Sequence, residues 1–349
     1  MKNKKRLPGV LFSISFFVFS LIGCAPTSSL FQGSQNGYKL GIHVLMDTKE
    51  SIEELKKEIP ELSQSGIDFM IAEINYNFEY QSHPELRGYG HITKEEVKSL
   101  LNVSKQNNIK LIPEFQCLGH QSWSKETFAL LTKYPQFDET PGQYPNNENI
   151  YCRSWCPLNP EVNTVIFDLM DELIDAFEAD VFHVGMDEVF LIGSEFCPRC
   201  KGKDPAILFA KAVNDYHNHL VKQKGLEMMM WGDRLIDTAS TGYSRWEASN
   251  NRTSLAIDSI PKDIIICDWH YDKSDSYPSI PIFLNKGFRV LPSSWKNVEA
   301  ANALLDYSIK EKSPNMLGHL FTTWTRIKAG ELSNHSTIKS ISEKLGKMK

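Results

Sequence analysis

The chain has 349 residues, a formal net charge of -5 and 23% charged residues. Lysines and acids are interspersed, so no basic stripe is available to neutralise phosphates, which argues against nucleic acid as a partner. Seven tryptophans and an aromatic content of 11% leave ample apolar surface for a large core.

Lys2, Lys4, Lys5 and Arg6 precede an apolar run from Val10 to Ile22, the pattern of a secretory signal. The run is shorter than the roughly 20 residues that a membrane helix needs. It closes on Leu21-Ile22-Gly23-Cys24, which resembles a bacterial lipoprotein signal, in which the cysteine is lipidated and becomes the new N-terminus. An ordinary signal peptide cut nearby is the alternative. Residues 1–24 are therefore expected to be the signal, and 25–37, rich in Ser, Pro, Gly, Gln and Asn, a flexible tether. The expected location is the bacterial cell envelope, with the protein exported and held to a membrane through Cys24.

About 310 residues follow with no Pro/Gly/Ser-rich break, so 38–349 is read as one domain. Short β-rich runs are expected at 38–46, 68–74, 110–115, 181–184, 227–231, 263–269, 288–292 and 316–324. Amphipathic helices alternate with them. The clearest stripe is Val162, Val165, Ile166, Leu169, Met170, Leu173, Ile174 and Phe177; a second is Ile207, Ala210, Val213, His217 and Leu220. Eight strands alternating with helices predict an α/β fold, a (β/α)₈ TIM barrel, rather than an open doubly wound sheet. The first strand ends in Leu45-Met46-Asp47-Thr48, without the Gly-rich phosphate loop that an open sheet would carry there.

In such a barrel the chemistry gathers where strands open into loops at one rim. The expected rim collects Asp47, Glu73, Asn75, Glu114, His120, Asp187, Glu188, Trp231, Asp233, Trp269, Tyr271, Trp295 and Trp324. Asp187 and Glu188 are adjacent at the end of an apolar run, and a partly desolvated acid pair tends to keep one proton. A carboxyl group still protonated near neutrality serves as a general acid. Acids among flat aromatic rings suit a sugar, whose C–H faces stack on indoles while its hydroxyls pair with carboxylates. Core packing at strand ends is the alternative for each tryptophan taken singly.

The segments His183-Val-Gly-Met-Asp187-Glu188, Pro113-Glu114 followed by Gly119-His120, Leu158-Asn159-Pro160-Glu161, and Trp324-Thr325 resemble the catalytic barrel of glycoside hydrolase family 20, the β-N-acetylhexosaminidases. The resemblance runs from about residue 38 to the C-terminus. It implies an exo-acting hydrolase of terminal β-linked N-acetylhexosamine, using a retaining mechanism in which the substrate's 2-acetamido oxygen is the nucleophile. It further implies that Asp187 orients the acetamido N–H and that Glu188 is the acid and then the base. Trp231, Trp269, Trp295 and Trp324 would wall the sugar, Tyr271 would bond the acetamido carbonyl, and His120 would support Glu188. Glu114 would be a structural acid beneath the site, and His183 a buried hydrogen-bonding residue.

The chain also departs from that pattern. Family members carry an arginine early in the first strand and a glutamate two residues after the last tryptophan, where this chain has the Ile42 region and Arg326. The usual Gly-Gly before the acids is Gly185-Met186. Arg326 is read either as a group for an anionic sugar or as a surface arginine without a ligand. Two other functions remain open: a surface glycan-binding lipoprotein without turnover, and a retaining glycosidase with Glu114 or Glu73 as an enzymic nucleophile.

Of the remaining cysteines, Cys152-x₃-Cys156 and Cys197-Pro-Arg-Cys200 have near-ligand spacing. They read as one or two disulfides, as a structural zinc site of Cys152, Cys156, Cys197 and Cys200, or as free thiols. No catalytic metal is expected. The zinc-deaminase pattern fails, because His-x-Glu is required and Gly185 stands in the place of the acid.

Overall fold

A computed structural model of the chain describes residues 30–31, 38–326, 328 and 330–346. The signal segment, Cys24 and all of the expected tether except Leu30 and Phe31 lie outside the described residues. Eight strands form a closed, wholly parallel barrel, each beside its sequence neighbours and the last beside the first. They are β1 Lys39–Leu45, β2 Phe69–Glu73, β3 Lys110–Cys117, β4 Val181–Gly185, β5 Glu227–Trp231, β6 Ile265–Trp269, β7 Arg289–Ser294 and β8 Gly318–Thr322. Helices cover the outside, so the strands face apolar surroundings on both sides and read as near-continuous hydrophobic runs. All five residues of β4 are buried. The (β/α)₈ expectation therefore holds.

The barrel interior is filled by Ile71, Ile112, Val181, Met229, Ile265 and Leu291. At its N-terminal end Phe31 packs edge-on against Phe69, with ring centroids 5.4 Å apart. Gly41 pairs with Phe69 across the ladder. A Cβ on Gly41 would sit 2.1 Å from that ring, so glycine is what lets the phenylalanine lie inside the barrel. Among the described residues no helix is long and apolar enough to cross a membrane.

The early crossovers use long helices, α1 Lys49–Gln64, α2 Lys94–Gln106, α3 Pro160–Phe177 and α4 Pro205–His217. Thr48 and Thr93 cap the first two through reciprocal hydrogen bonds with Ser51 and Glu96. Asn159 and Asp204 cap the next two, each followed by proline in the first turn. The α3 stripe is buried as expected, with Ile174 packed at its edge. In α4 the expected stripe is wrong at its start. Ile207 is 69% exposed, while Ala206, Phe209, Ala210, Val213, Tyr216 and His217 face inward. Position 207 lies one residue, about 100°, beyond that face. Between β5 and β6 a long helix is replaced by short turns, including the 3₁₀ segment Thr253–Asp258.

Strand β3 runs two residues past its expected end, to Cys117. Its register against β4 shifts between Glu114, opposite His183, and Cys117, opposite Gly185. Three steps on β3 thus face two on β4, a bulge that turns Gln116 toward the β4 terminus. Gly185 has φ +65°, and a Cβ there would meet Gln116 Oε1 at 1.7 Å.

Candidate active site

The C-terminal rim is built on Glu114, whose side chain is fully buried. Glu114 Oε1 accepts from Trp231 Nε1 at 3.0 Å and lies 3.1 Å from His183 Nδ1. Its Oε2 lies 3.2 Å from His43 Nε2, which is also 3.2 Å from Glu73 Oε2. Burial disfavours charge on both Glu114 and His43, but the pairing wins. Burial opposes, and the His183 and His43 charges outweigh it, so Glu114 falls to about 2. Burial likewise opposes, and Glu114 and Glu73 raise His43 to about 10. A carboxylate and an imidazolium therefore sit under the barrel mouth.

Aromatic rings stand on this floor. His43 lies 4.6 Å from Trp324 and 5.5 Å from Trp231, and the two indoles are 5.6 Å apart. Tyr271 stacks on Trp269 at 5.0 Å and meets Trp295 at 5.5 Å. Trp324 Nε1 donates to the Tyr271 hydroxyl at 2.9 Å. The indole N–H can only donate, so the phenol oxygen accepts there and its own proton remains to be given. All five expected aromatics thus form one connected set. Trp231 is buried to 1% and forms the floor, whereas Trp269, Tyr271, Trp295 and Trp324 are partly open.

The acid pair stands beside them at the end of β4. His120 Nε2 lies 3.5 Å from Asp187 Oδ2 and 3.2 Å from Glu188 Oε2. Gln116 Nε2 donates to Asp187 Oδ1. Burial opposes ionisation of Asp187, but His120 and Gln116 outweigh it and hold the carboxyl below its ordinary range. Burial also opposes charge on His120, and the acids overcome it, raising its pKa well above the usual value. The carboxyl pushed upward is Asp233, raised by burial to about 6 against the pull of Arg234. Its Oδ2 accepts from the Glu188 backbone N–H at 2.9 Å and from Arg234 Nε at 2.6 Å. The backbone carrying these groups is strained, with φ +65° at Leu118, +53° at His120, +80° at Met186 and +48° at Glu188. Positive φ at non-glycine residues clusters at functional sites. Met186, where Gly is usual in the family pattern, occupies a conformation that glycine adopts without cost.

Beyond the acids lies a second aromatic group that the sequence reading did not anticipate. Tyr151 is 4.9 Å from Trp246, 5.5 Å from Trp123 and 5.7 Å from both Phe190 and His120. Trp123 is 56% exposed. Burial and the adjacent Glu188 carboxylate raise the Tyr151 phenol pKa. Two buried arginines hold the loops concerned. Arg153 donates to Asp138, Asn147 and the carbonyls of Gln143 and Tyr144. Arg234 donates to the carbonyls of Arg245, Trp246 and Ala248.

The profile of the glycosyl hydrolase family 20 catalytic domain matches residues 42–330. The chain belongs to this family. It is 23% identical over 201 residues to a lacto-N-biosidase of Bifidobacterium bifidum, covering 54% of this chain and 17% of that protein. It is 32% identical over 115 residues to a β-hexosaminidase of Akkermansia muciniphila, covering 32% of this chain and 22% of that protein. The chain therefore spans only a small part of the length of these relatives. A β-N-acetylhexosaminidase structure from Bacteroides fragilis superposes with a TM-score of 0.62 at 16% identity, over 88% of this chain and 65% of that one. That likeness shows the shared fold.

Within the family frame, the departures expected from the sequence find definite places. Arg326, 63% exposed, donates to Asp47 Oδ2 from Nε at 3.1 Å and Nη2 at 2.8 Å, so its charge is matched at the rim. Next to Ile42, His43 takes part in the floor. His43, Gln116, Tyr151 and Trp246 are the residues that the sequence reading missed. The inward alternation of β1 could have signalled His43, whereas Gln116 lay beyond the expected strand end. Three groups of described residues bring metal-ligand atoms within 4.8 Å of one another. Two, His43-Glu73-Glu114 and His120-Asp187-Glu188, are accounted for by the imidazole–carboxylate contacts above; the third is sulfur-rich and lies outside the mouth.

Glu114→Gln should leave the buried charge of His43 with Glu73 alone to compensate it, and breaking a buried pair costs about 3–5 kcal/mol. Because the folded pKa of His43 is raised from 6.5 to about 10, its contribution is full below 6.5 and lost as pH rises through about 10. Thermal unfolding across that window should show the wild type losing stability that the Gln variant has already lost; equal slopes for the two proteins would contradict the ion pair.

Proposed function

We propose that this domain removes terminal β-linked N-acetylhexosamine from glycans, with the substrate's acetamido oxygen as the nucleophile. The observation that carries the reading is the hold on Asp187 beside a second acid. Asp187 is held as an anion by His120 and Gln116, while its neighbour Glu188 stands beside it at the mouth. An anionic Asp187 accepts the acetamido N–H and turns the carbonyl oxygen toward the anomeric carbon. As that oxygen attacks, Glu188 protonates the departing glycosidic oxygen. Glu188 then takes a proton from the water that opens the oxazolinium intermediate. Tyr271, already accepting from Trp324, donates a hydrogen bond to the acetamido carbonyl and keeps its proton, and Trp269, Trp295 and Trp324 enclose the group.

An enzymic nucleophile is disfavoured by the condition of its candidates. Glu114 is sealed beneath the floor. Glu73 is engaged by His43 and by Asn75 Nδ2 at 2.7 Å. Beside His120, Tyr151 with Trp246 and the exposed Trp123 offers ring surface to the sugar that leaves. The protein is further proposed to reach the cell envelope and to be lipidated at Cys24, a reading supported by the basic, apolar and Gly-Cys succession at its N-terminus.

Aryl N-acetyl-β-glucosaminide and N-acetyl-β-galactosaminide should be cleaved and aryl β-glucoside left intact. Cleavage of the plain glucoside would instead favour an enzymic nucleophile, and binding of glycan without turnover a lectin-like protein. Glu188→Gln should lower kcat by about 10²–10⁴-fold on substrates with poor leaving groups and much less on activated aryl substrates. Asp187→Asn should slow both kinds, and wild-type rates in that variant would remove it from the mechanism. Cys24→Ala should abolish incorporation of labelled fatty acid and release the protein from the membrane fraction; unchanged labelling would sink the anchor.

A further inference from the structure

The sulfur-rich cluster lies in the loops that follow β3 and β4. Cys156 Sγ is 3.3 Å from Cys197 Sγ and 3.4 Å from Cys200 Sγ, and all three thiols are buried. The fourth member is not Cys152. That thiol lies 3.7 Å from the Glu188 carbonyl oxygen and is absent from the cluster. Its place is taken by Glu139, whose carboxylate lies within 4.8 Å of the three sulfurs.

We propose that Cys156, Cys197, Cys200 and Glu139 form a closed tetrahedral site for a structural zinc ion. The spacing supports an ion over a disulfide. With Zn–S about 2.3 Å, a tetrahedral ion sets its sulfurs about 3.8 Å apart, whereas a disulfide brings them to about 2.05 Å. Three thiols meeting at one point also leave one over after any single pairing.

Glu139 points to the same conclusion independently. It is fully buried, and among the described residues no lysine, arginine or histidine pairs with it. Its Oε1 accepts from the Ser194 N–H at 2.9 Å, while Oε2 is buried without a hydrogen-bond partner. Burying such a carboxylate costs several kcal/mol unless a cation compensates it. A divalent ion supplies that cation. A backbone donor also reaches one of the sulfurs: Cys200 N–H points at Cys197 Sγ at 3.4 Å.

Zinc is the fitting ion because three soft thiolates and one oxygen at tetrahedral spacing exclude magnesium and calcium, which take oxygen ligands. Binding releases the thiol protons to solvent. The ion joins the segment after His120 to the segment after Glu188. Its role is to position those two loops, and no step of glycoside cleavage passes through it.

The full chain, purified without chelator and assayed by elemental mass spectrometry, should carry about one zinc per molecule. Exchange with cobalt should produce the visible bands of a tetrahedral ion together with thiolate-to-metal charge transfer. Cys156→Ser and Cys200→Ser should each weaken the ion by more than about tenfold, the loss typical of disturbing even an outer partner. Glu139→Ala should keep the sulfur charge-transfer band, shift the visible bands and speed release to a chelator. Cys152→Ser should keep the metal and the unshifted spectrum. The proposal is overturned if wild-type protein neither carries zinc nor retains it after loading and desalting. It is equally overturned if non-reducing mass spectrometry finds a disulfide within Cys156, Cys197 and Cys200, or if Cys152→Ser alone strips the ion.

Discussion

A carboxylate at the centre of a barrel mouth is costly, and Glu114 is placed there without exposure. Moving such a group out of water costs several kcal/mol unless hydrogen bonds and opposite charge replace the lost solvation. His43, His183 and Trp231 supply them from three different strands. Each of those rings is thereby fixed in orientation, and Trp324 rests on His43 and Trp231 in turn. The aromatic enclosure and the acids above it inherit their geometry from this one compensated charge. The floor also separates two kinds of acid: the Glu114 side chain is fully buried, whereas those of Asp187 and Glu188 stay 12% and 13% exposed.

Above the floor the backbone is less relaxed. Leu118 and His120 on one loop, and Gly185, Met186 and Glu188 on the next, all have positive φ. Non-glycine residues in such conformations cost on the order of 1–3 kcal/mol each and persist only when surroundings hold them. Here the holding groups are identifiable. Gln116 grips Asp187 from the β3 bulge, Asp233 accepts the Glu188 N–H, and Arg153 and Arg234 tie long irregular loops to their own carbonyls. The rim is rigid through buried polar bonds, since loops of this kind lack a regular ladder of their own.

Particular residues show where the sequence could and could not be read. Val162, Val165, Ile166, Leu169 and Leu173 announce α3 because one face of a helix repeats every 3.6 residues. The same logic slipped only at Ile207, one residue off the buried face that Ala206 begins. Gln116 was missed because a bulge extends β3 beyond its apolar run, and a bulge has no composition signal. Tyr151 and Trp246 come from loops without periodicity. The closely spaced cysteines were visible, but Cys152 lies apart from the other three sulfurs despite its nearness in sequence to Cys156, and Glu139 joins them only through the path of a folded loop.

The sequence by itself determined the repeating strand and helix order, hence a closed parallel barrel, and it placed Asp187 and Glu188 at a strand end with tryptophans at four others. Those properties are local, because hydrophobic period and element length are written within a few residues of each position. Only the tertiary structure decided which acid is sealed among compensating partners and which stands partly open at the rim. That choice depends on partners up to 117 residues apart, as Trp231 is from Glu114. Charge state follows burial and neighbouring charge, and neither is defined until the chain has closed on itself.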